Sequence, residues 1–262
     1  MFSDQPGITM RRRYPPIWSG AAPILNGWLS IPSAFAAETM AQVGWDSLTI
    51  DMQHGVQDYA SLVACLQAIQ LHERFPMVRV PANASGDIGK ALDAGAMGII
   101  CPMVNTADDA RQFVAACRYP PIGQRSYGPV RAAMYGEPSG YHKTANTEVR
   151  CIPMIETREA LDNLGAILDV PGIDAVYVGP GDLGFSLGYE PMLDREEPEI
   201  VEIYLRLIAE TARRGIRAGI HCGSPAYARR AIQMGFGLVT VGSDASFILS
   251  GARQTIEGMT GK

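Results

Sequence analysis

The sequence predicts an α/β protein folded as a single (β/α)8 TIM barrel. Short apolar runs alternate with helix-length segments along all 262 residues, glycines separate helices from strands, and polar residues follow several strands. Eight strand-then-helix units match the size and order of one parallel barrel. A doubly wound open sheet is the alternative architecture for the same alternation.

The eight predicted strands are short runs rich in apolar residues. They cover residues 26–31, 47–51, 77–80, 98–101, 150–155, 175–178, 217–221 and 238–241. Between them, apolar residues recur at helical spacing in residues 59–72, 107–117, 158–168, 199–214 and 225–234. Glycine commonly ends a helix, and it stands just before four of the strands, at Gly44, Gly95, Gly172 and Gly235.

Composition favours one compact domain over residues 1–262, with residues 1–20 as an N-terminal extension. Hydrophobic residues make up 47% of the chain, and no low-complexity tract divides it. The net charge of −5 argues against a nucleic-acid surface. Five cysteines, an odd number spread over predicted helices and strands, favour reduced core residues over a disulfide framework.

The amino-terminal region carries part of the pattern of a secretory signal. Three arginines at positions 11–13 precede the small-residue run SAFAA at positions 33–37. Prolines and polar residues interrupt the region between them, and cleavage would remove the first predicted strand. No run is long and apolar enough to span a bilayer. The expected location is therefore the cytoplasm.

A long inserted loop, residues 118–149, connects the fourth helix to the fifth strand. It is rich in turn-forming residues, arginines and tyrosines, and connections of this length are usually functional or interfacial. Because it follows a helix, it begins at the amino-terminal rim, opposite the end where barrels place their active sites. The loop is predicted to contact a neighbouring subunit, and bracing its own barrel is the alternative.

Two carboxylates follow neighbouring strands at the carboxyl rim. Glu156 ends the fifth strand and Asp182 follows the sixth, so both can hold one cation. Oxygen ligands favour Mg²⁺ or Mn²⁺ over Zn²⁺, with Co²⁺ as a further candidate. The simpler interpretation is that each carboxylate only caps the helix that follows it. That interpretation is weaker for Glu156, because Thr157 is the better cap residue.

The glycine-rich turn GPGD at residues 179–182 enters a short predicted helix beside this pair. Such a turn exposes backbone N–H groups that can bind an anion, and a carboxylate is the simplest one. Phosphate is the alternative, because barrels often bind it after strands seven and eight.

His54 and Arg79 complete the predicted site. His54 lies just beyond strand two, where it can transfer protons near neutral pH, and Asp51 is placed to orient its ring. Arg79 is a charge within an apolar strand and needs an anionic partner, either a substrate oxygen or a structural carboxylate. His221, at the end of strand seven, is a weaker candidate that shapes the pocket.

Lysine is scarce, and this disfavours one class of mechanism. The three lysines are Lys90, Lys143 and Lys262, and none ends a predicted strand. A Schiff-base aldolase needs a lysine in the pocket, whereas two carboxylates favour a metal-stabilised enolate.

Seven motifs occur in the order found in the HpcH/HpaI aldolase family, which this chain therefore resembles over about residues 20–255. They are DMQH at 51–54, VRVP at 78–81, LDAGA at 92–96, PMV at 102–104, RYPPIG at 118–123, IET at 155–157 and VGPGDL at 178–183.

The resemblance implies a class II pyruvate aldolase like 4-hydroxy-2-oxoheptanedioate aldolase. It implies that Glu156 and Asp182 bind the metal, that Arg79 contacts the pyruvate oxygen, and that His54 serves the acid/base step. Backbone N–H groups of Gly181 and Asp182 would hold the pyruvate carboxylate. Asp51 and Asp93 would support the histidine and the subunit contact. The implied assembly is a hexamer built as a trimer of dimers. From the long loop itself, Arg125 is expected to meet the acceptor in a neighbouring subunit's pocket.

The departures from the family pattern affect substrate choice more than reaction type. Met52 and Gln53 stand where many members have Gly and Glu, and Met154 stands where some have Gln. Gly181 and Gly184 replace the more common Ala and Ser. Two other functions remain open: an acyl-CoA lyase, with Arg125 and Arg131 in a basic groove, and a non-catalytic 2-oxo-acid-binding barrel.

Overall fold

In the computed structural model of the chain, residues 14–135 and 140–261 are described. Their eight strands form a closed parallel barrel in sequential order, with β1 also paired to β8. The strands are β1 (Ile24–Leu29), β2 (Ser47–Asp51), β3 (Phe75–Arg79), β4 (Gly98–Cys101), β5 (Arg150–Ile155), β6 (Ala175–Val178), β7 (Arg217–Cys222) and β8 (Leu238–Val241). The predicted (β/α)8 barrel is confirmed, and the open sheet is excluded.

Helices cover the outside of this barrel. They are α1 (Ala34–Ala41), α2 (Tyr59–Leu71), α3 (Ser85–Ala94), α4 (Ala107–Cys117), α5 (His142–Glu148), α6 (Arg158–Asp162), α7 (Leu164–Leu168), α8 (Pro180–Ser186), α9 (Pro198–Ala212), α10 (Pro225–Met234) and α11 (Asp244–Thr260).

Strand positions follow the sequence closely, and most errors lie at element ends. β1 begins at Ile24, two residues before its predicted start, because it pairs there with Leu238 of β8. The helix predicted over residues 158–168 is two helices that meet at Asn163, whose side-chain amide donates to the carbonyl of Asn105. α5 was missed because its sequence, HKTANTE, has no apolar stripe.

Two hydrophobic layers stabilise the fold. The outer layer lies between strands and helices, and the inner layer fills the barrel with large side chains such as Met77, Ile152 and Met154. Residues Tyr14, Ile17 and Trp18 of the predicted extension pack against the inner layer. The rings of Tyr14 and Trp18 meet Phe75 edge-on, at centroid distances of 5.7 and 5.8 Å. The extension thus closes the amino-terminal end of the barrel.

A buried hydrogen-bond network crosses the middle of the barrel. Asn26 accepts from the hydroxyls of Ser47 and Thr49, and its amide donates to Thr240 at 2.8 Å. The Tyr177 hydroxyl donates to the same Thr240 oxygen at 2.6 Å. Because these polar groups bond with one another, their burial is not penalised by lost hydration. The network separates the apolar lower barrel from a polar upper end.

Two expectations about cysteines and membranes bear on the fold. All five cysteines are buried and free, as predicted. Within the described residues, no helix combines the length and apolar character that crossing a membrane requires. The signal-like arginines at 11–13 lie outside the described residues.

Glycine at the predicted helix ends has the expected backbone conformation, and this can be tested at Gly235. Its φ is 116°, and an added Cβ would lie 2.9 Å from Ile208. We expect Gly235→Ala to lower the free energy of unfolding by about 1–3 kcal/mol, because the left-handed conformation and the contact both oppose a side chain.

Gly89→Ala is the matched control, because Gly89 lies inside α3 with open space at its Cβ position. Both variants are compared with the wild type by urea unfolding. Gly89→Ala should leave the free energy of unfolding unchanged or raise it by up to about 1 kcal/mol. Equal losses in both variants would contradict the proposed role of the Gly235 backbone.

Candidate active site

An ion pair between Asp51 and Arg79 lies at the carboxyl ends of β2 and β3. The two residues are register partners in the sheet, so their side chains meet side by side. Arg79 donates from Nε to one carboxylate oxygen at 2.8 Å and from Nη2 to the other at 2.6 Å. The side chains are only 11% and 3% exposed. Such a bidentate pair fixes the plane of the guanidinium group.

Trp28 of β1 supports this pair from below. Its indole N–H donates to Asp51 at 3.2 Å, and the Arg79 guanidinium carbon lies 4.8 Å from its ring centroid. Burial by itself would raise the pKa of Asp51, but the bonds to Arg79 hold that pKa below its ordinary value. Asp51 is therefore ionised and fully engaged, and it gives Arg79 a structural carboxylate partner. A contact between Arg79 and substrate remains a prediction.

Asp51 does not orient the His54 ring as the sequence suggested. Its carboxylate accepts the backbone N–H groups of Gln53 and His54, at 3.1 and 3.2 Å. It thereby shapes the turn that carries His54, while the imidazole is exposed at the rim. The orienting role of Asp51 is thus exerted on the backbone, because its side-chain oxygens are already occupied.

Glu156 is a buried carboxylate at the end of β5. It is 2% exposed, and its Oε1 accepts the N–H of Met103 at 2.8 Å. Met103 has a φ of 55°, a left-handed conformation that is uncommon for a residue with a side chain and is often found at functional sites. Thr157, not Glu156, caps α6, so the capping alternative for Glu156 is excluded.

Burial raises the pKa of Glu156 to about 7. The negative charge of Asp182 contributes to this raised pKa, whereas the N–H of Met103 and the charge of Arg79 oppose it. The charges that act on Glu156 are therefore those of Asp182, the second predicted metal ligand, and Arg79, the predicted substrate-binding arginine. A cation beside Glu156 would relieve the cost of keeping this carboxylate ionised.

Gly179 leaves room for Glu156 at the end of β6. A Cβ at this position would lie 2.7 Å from Oε2 of Glu156 and 3.0 Å from the methyl group of Met154. The next turn begins α8, in which Asp182 is exposed and belongs to the first turn. The N-cap of α8 is Gly179, so Asp182 is not the cap residue.

His221 lies inside the rim as a half-buried residue next to Trp28 and Tyr177. Its ring centroid is 4.9 Å from that of Trp28, and Nδ1 lies 3.4 Å from the Tyr177 hydroxyl. Burial, reinforced by the charge of Arg79, lowers the pKa of His221 to about 4. The imidazole is therefore neutral at pH 7 and continues the polar network up to the site.

Arg125 and Asp93 lie away from the carboxyl-rim site. Arg125 donates to Asp93 at 2.7 Å and stacks 4.4 Å above the Tyr119 ring, and its side chain is only 1% exposed. Asp93 is in the last turn of α3, at the amino-terminal rim. Arg125 is engaged within its own subunit, so the prediction that it meets an acceptor substrate does not fit its placement. Within this chain, Asp93 binds Arg125, and its predicted part in a subunit contact stays a prediction.

Sequence reasoning missed several residues that shape this site. Trp28 and Tyr177 were taken as ordinary strand residues, although each carries a polar group on an inward-facing position. Among the described residues, no group of three or more His, Cys, Asp or Glu could hold a metal. Glu156 and Asp182 would therefore provide two ligands and leave the other positions to substrate and water.

Comparison with known proteins decides the family. The model of the HpcH/HpaI aldolase/citrate lyase family matches residues 27–250. The chain belongs to this family. Membership confirms the resemblance seen in the sequence, and the named aldolases among its relatives make it a carbon–carbon lyase.

Three HpcH/HpaI relatives illustrate the likeness. A hydroxypyruvate/pyruvate aldolase of Rhizorhabdus wittichii is 43% identical over 91% of this chain and 95% of the relative. A 4-hydroxy-2-oxo-heptane-1,7-dioate aldolase of Salmonella heidelberg is 35% identical over 93% and 92%. The crystal structure of a family protein from Burkholderia cenocepacia superposes with a TM-score of 0.87, at 35% identity over 93% and 96%.

The pKa of His221 makes stability depend on pH. The ordinary value of 6.5 applies to the unfolded chain, so the unfolded state gains a proton first as the pH falls below 6.5. Above pH 6.5 both states are neutral, and the group contributes nothing. Between pH 6.5 and 4 the wild type should lose about 2–3 kcal/mol of unfolding free energy relative to His221→Gln.

Urea unfolding of both proteins at pH 7 and pH 4.5 measures this difference. His142→Gln, which removes an exposed histidine, is the control and should follow the wild type. If the wild type and His221→Gln lose stability in parallel, His221 is not held neutral by burial.

Proposed function

We propose that this chain is a divalent-metal-dependent aldolase that reversibly cleaves 4-hydroxy-2-oxo acids. The products are an aldehyde and pyruvate or a close 2-oxo acid. The observation that carries the proposal is the buried Glu156 carboxylate, which lies within the electrostatic influence of both Asp182 and Arg79. The names of the relatives, a hydroxypyruvate/pyruvate aldolase and a 4-hydroxy-2-oxo-heptane-1,7-dioate aldolase, support this substrate class.

The donor set fits a hard divalent cation. Glu156 and Asp182 offer carboxylate oxygens, no thiol or imidazole accompanies them in the sequence motifs, and burial makes an ionised Glu156 costly without a positive partner. Mg²⁺ or Mn²⁺ suits such ligands, and Co²⁺ is a further candidate. When bound, the ion would supply Lewis-acid stabilisation of negative charge on the substrate's 2-oxo oxygen.

Arg79 is placed to stabilise the same charge. Its Nε and Nη2 bind Asp51, while Nη1 forms no hydrogen bond with the described residues. The fixed guanidinium plane therefore leaves one N–H edge for an enolate oxygen. Because Asp51 and Trp28 hold the group before substrate arrives, little reorganisation is needed in the transition state. We infer that this N–H edge contacts pyruvate.

His54 and the α8 turn supply the remaining functions in this proposal. His54 is exposed at the rim, where it accepts the 4-hydroxyl proton directly or through a water molecule, and the carbon–carbon bond then breaks. The first N–H groups of a helix lack intrahelical acceptors, so those of Gly181 and Asp182 are available for the substrate carboxylate. Oxaloacetate decarboxylation passes through the same enolate and is the expected side activity.

Assembly and location extend the proposal. The large apolar side chains that α11 exposes are Phe247, Ile248, Leu249, Ile256 and Met259. A homo-oligomer would cover them, and a hexamer is the expected form. A cytoplasmic location remains a prediction.

The acyl-CoA lyase alternative loses its basis in this structure. It depended on Arg125 and Arg131 as a basic groove. Arg125 is buried on Asp93, and Arg131 donates to the Ala94 carbonyl and, at 2.6 Å, to Gln70.

Removal of either carboxylate tests the metal proposal. Glu156→Gln and Asp182→Asn should each lower pyruvate release from racemic 4-hydroxy-2-oxo acids by at least about a hundredfold, more than loss of an outer-shell partner. Chelation should inactivate the wild type, and added Mg²⁺ or Mn²⁺ should restore it.

Glu159→Gln and Asp162→Asn are the matched controls, since both residues are exposed on α6 just beyond the site. They should retain full activity. Full activity of the wild type after exhaustive chelation, or a covalent pyruvate adduct trapped by borohydride, would refute the proposal.

A further inference from the structure

Arg195 is a buried arginine that the proposed reaction does not use. Its side chain is only 1% exposed, although it lies in the irregular connection between α8 and α9. Arginine is seldom buried in a connection unless it makes several hydrogen bonds, because its charge must be compensated. Its contacts therefore indicate what it holds in place.

The guanidinium group of Arg195 binds the first turn of α8. Nε donates to the carbonyl of Pro180 at 3.0 Å, two residues before Asp182. Nη1 donates to Glu197 at 2.7 Å, and Nη2 donates to the carbonyl of Glu190. The charge is thus compensated by one carboxylate, and the remaining donors hold one backbone carbonyl in α8 and one within the connection itself.

Gly184 shows how closely the arginine fits against α8. A Cβ at this position would lie 2.0 Å from Nη2 and 2.1 Å from Cζ of Arg195. The guanidinium group therefore occupies the space that a side chain would need. The placement of Arg195 therefore requires glycine at position 184.

The backbone of the same segment is anchored to the next β/α unit. The Tyr227 hydroxyl of α10 donates to the carbonyl of Arg195, and the Asp194 carboxylate accepts the N–H of Gly223 at 2.6 Å. Arg195 therefore joins α8 to the β7–α10 part of the barrel wall, which the sheet itself holds rigid.

α8 needs an external support of this kind. It has seven residues, and two of the four after Pro180 are glycines, Gly181 and Gly184. A helix this short is not stable alone, and each interior glycine costs roughly 0.5–1 kcal/mol relative to alanine. Without a tertiary contact, the first turn would not hold Asp182 in one place.

We propose that Arg195 is a positioning residue for Asp182. Its guanidinium group fixes the first turn of α8 and so sets the distance between the Asp182 and Glu156 carboxylates. This inference rests on the proposed function, since it matters only if both carboxylates bind the cation. Removal of the guanidinium group should weaken cation binding more than it weakens the fold.

Titration of the full-length protein with Mn²⁺ tests this, with free Mn²⁺ measured by electron paramagnetic resonance. Arg195→Met keeps most of the side-chain volume and removes the donors, and it should weaken Mn²⁺ binding by about tenfold or more, as loss of an outer-shell partner does. Arg195→Lys retains the charge but not the planar set of N–H donors. Its affinity for Mn²⁺ should lie between those of the wild type and Arg195→Met.

Arg230→Met is the control, because Arg230 pairs with Glu196 on the surface of the same region. It should bind Mn²⁺ within twofold of the wild type. Gly184→Ala changes α8 instead of Arg195. It should weaken Mn²⁺ binding by displacing the guanidinium group, so it tests the proposal even if Arg195→Met fails to fold.

Asp182→Asn in the same titration separates the two proposals. Unchanged affinity in Asp182→Asn would remove the metal proposal itself. Weakened affinity in Asp182→Asn, together with unchanged affinity in folded Arg195→Lys and Gly184→Ala, would overturn the positioning role alone.

Discussion

The buried ion pair of Asp51 and Arg79 is the interaction on which the site depends. Both groups are withdrawn from water, so each needs the other, and removal of one partner from such a pair typically costs about 3–5 kcal/mol. A bidentate contact, the indole N–H of Trp28 and two backbone N–H groups leave the carboxylate no other geometry. The pair thereby fixes the guanidinium plane and the turn that carries His54.

On the opposite side of the site, the buried carboxylate of Glu156 is in a different electrostatic environment from that of Asp51. Glu156 is equally buried, but no arginine of the described residues bonds to it, and burial raises its pKa to about 7. One half of the rim is therefore compensated within the protein, and the proposed cation would compensate the other half. Two glycines leave space for charged groups near the site. Gly179 leaves space for the Glu156 carboxylate, and Gly184 leaves space for the Arg195 guanidinium.

Periodicity and strand ends were enough to predict the barrel, five strands to the residue, and the carboxyl-rim positions of Asp51, Arg79, Glu156 and Asp182. Partners across the barrel could not be predicted, because the contacts of Trp28, Tyr177 and Arg195 depend on how distant segments pack. Arg125 illustrates the limit: an arginine in a long loop is equally consistent with a substrate contact and with the buried bond to Asp93 that it makes. Roles in the reaction remain predictions from family membership.

Exchange of the pyruvate methyl protons in D2O, followed by proton NMR without any aldehyde, tests the central claim most directly. A site that stabilises the enolate should exchange these protons only when a divalent cation is present. Arg79→Lys should slow the exchange by about a hundredfold, as loss of one preorganised donor does, and Glu156→Gln should abolish it. Exchange that continues at the wild-type rate in Arg79→Lys, or in excess chelator, would contradict the account.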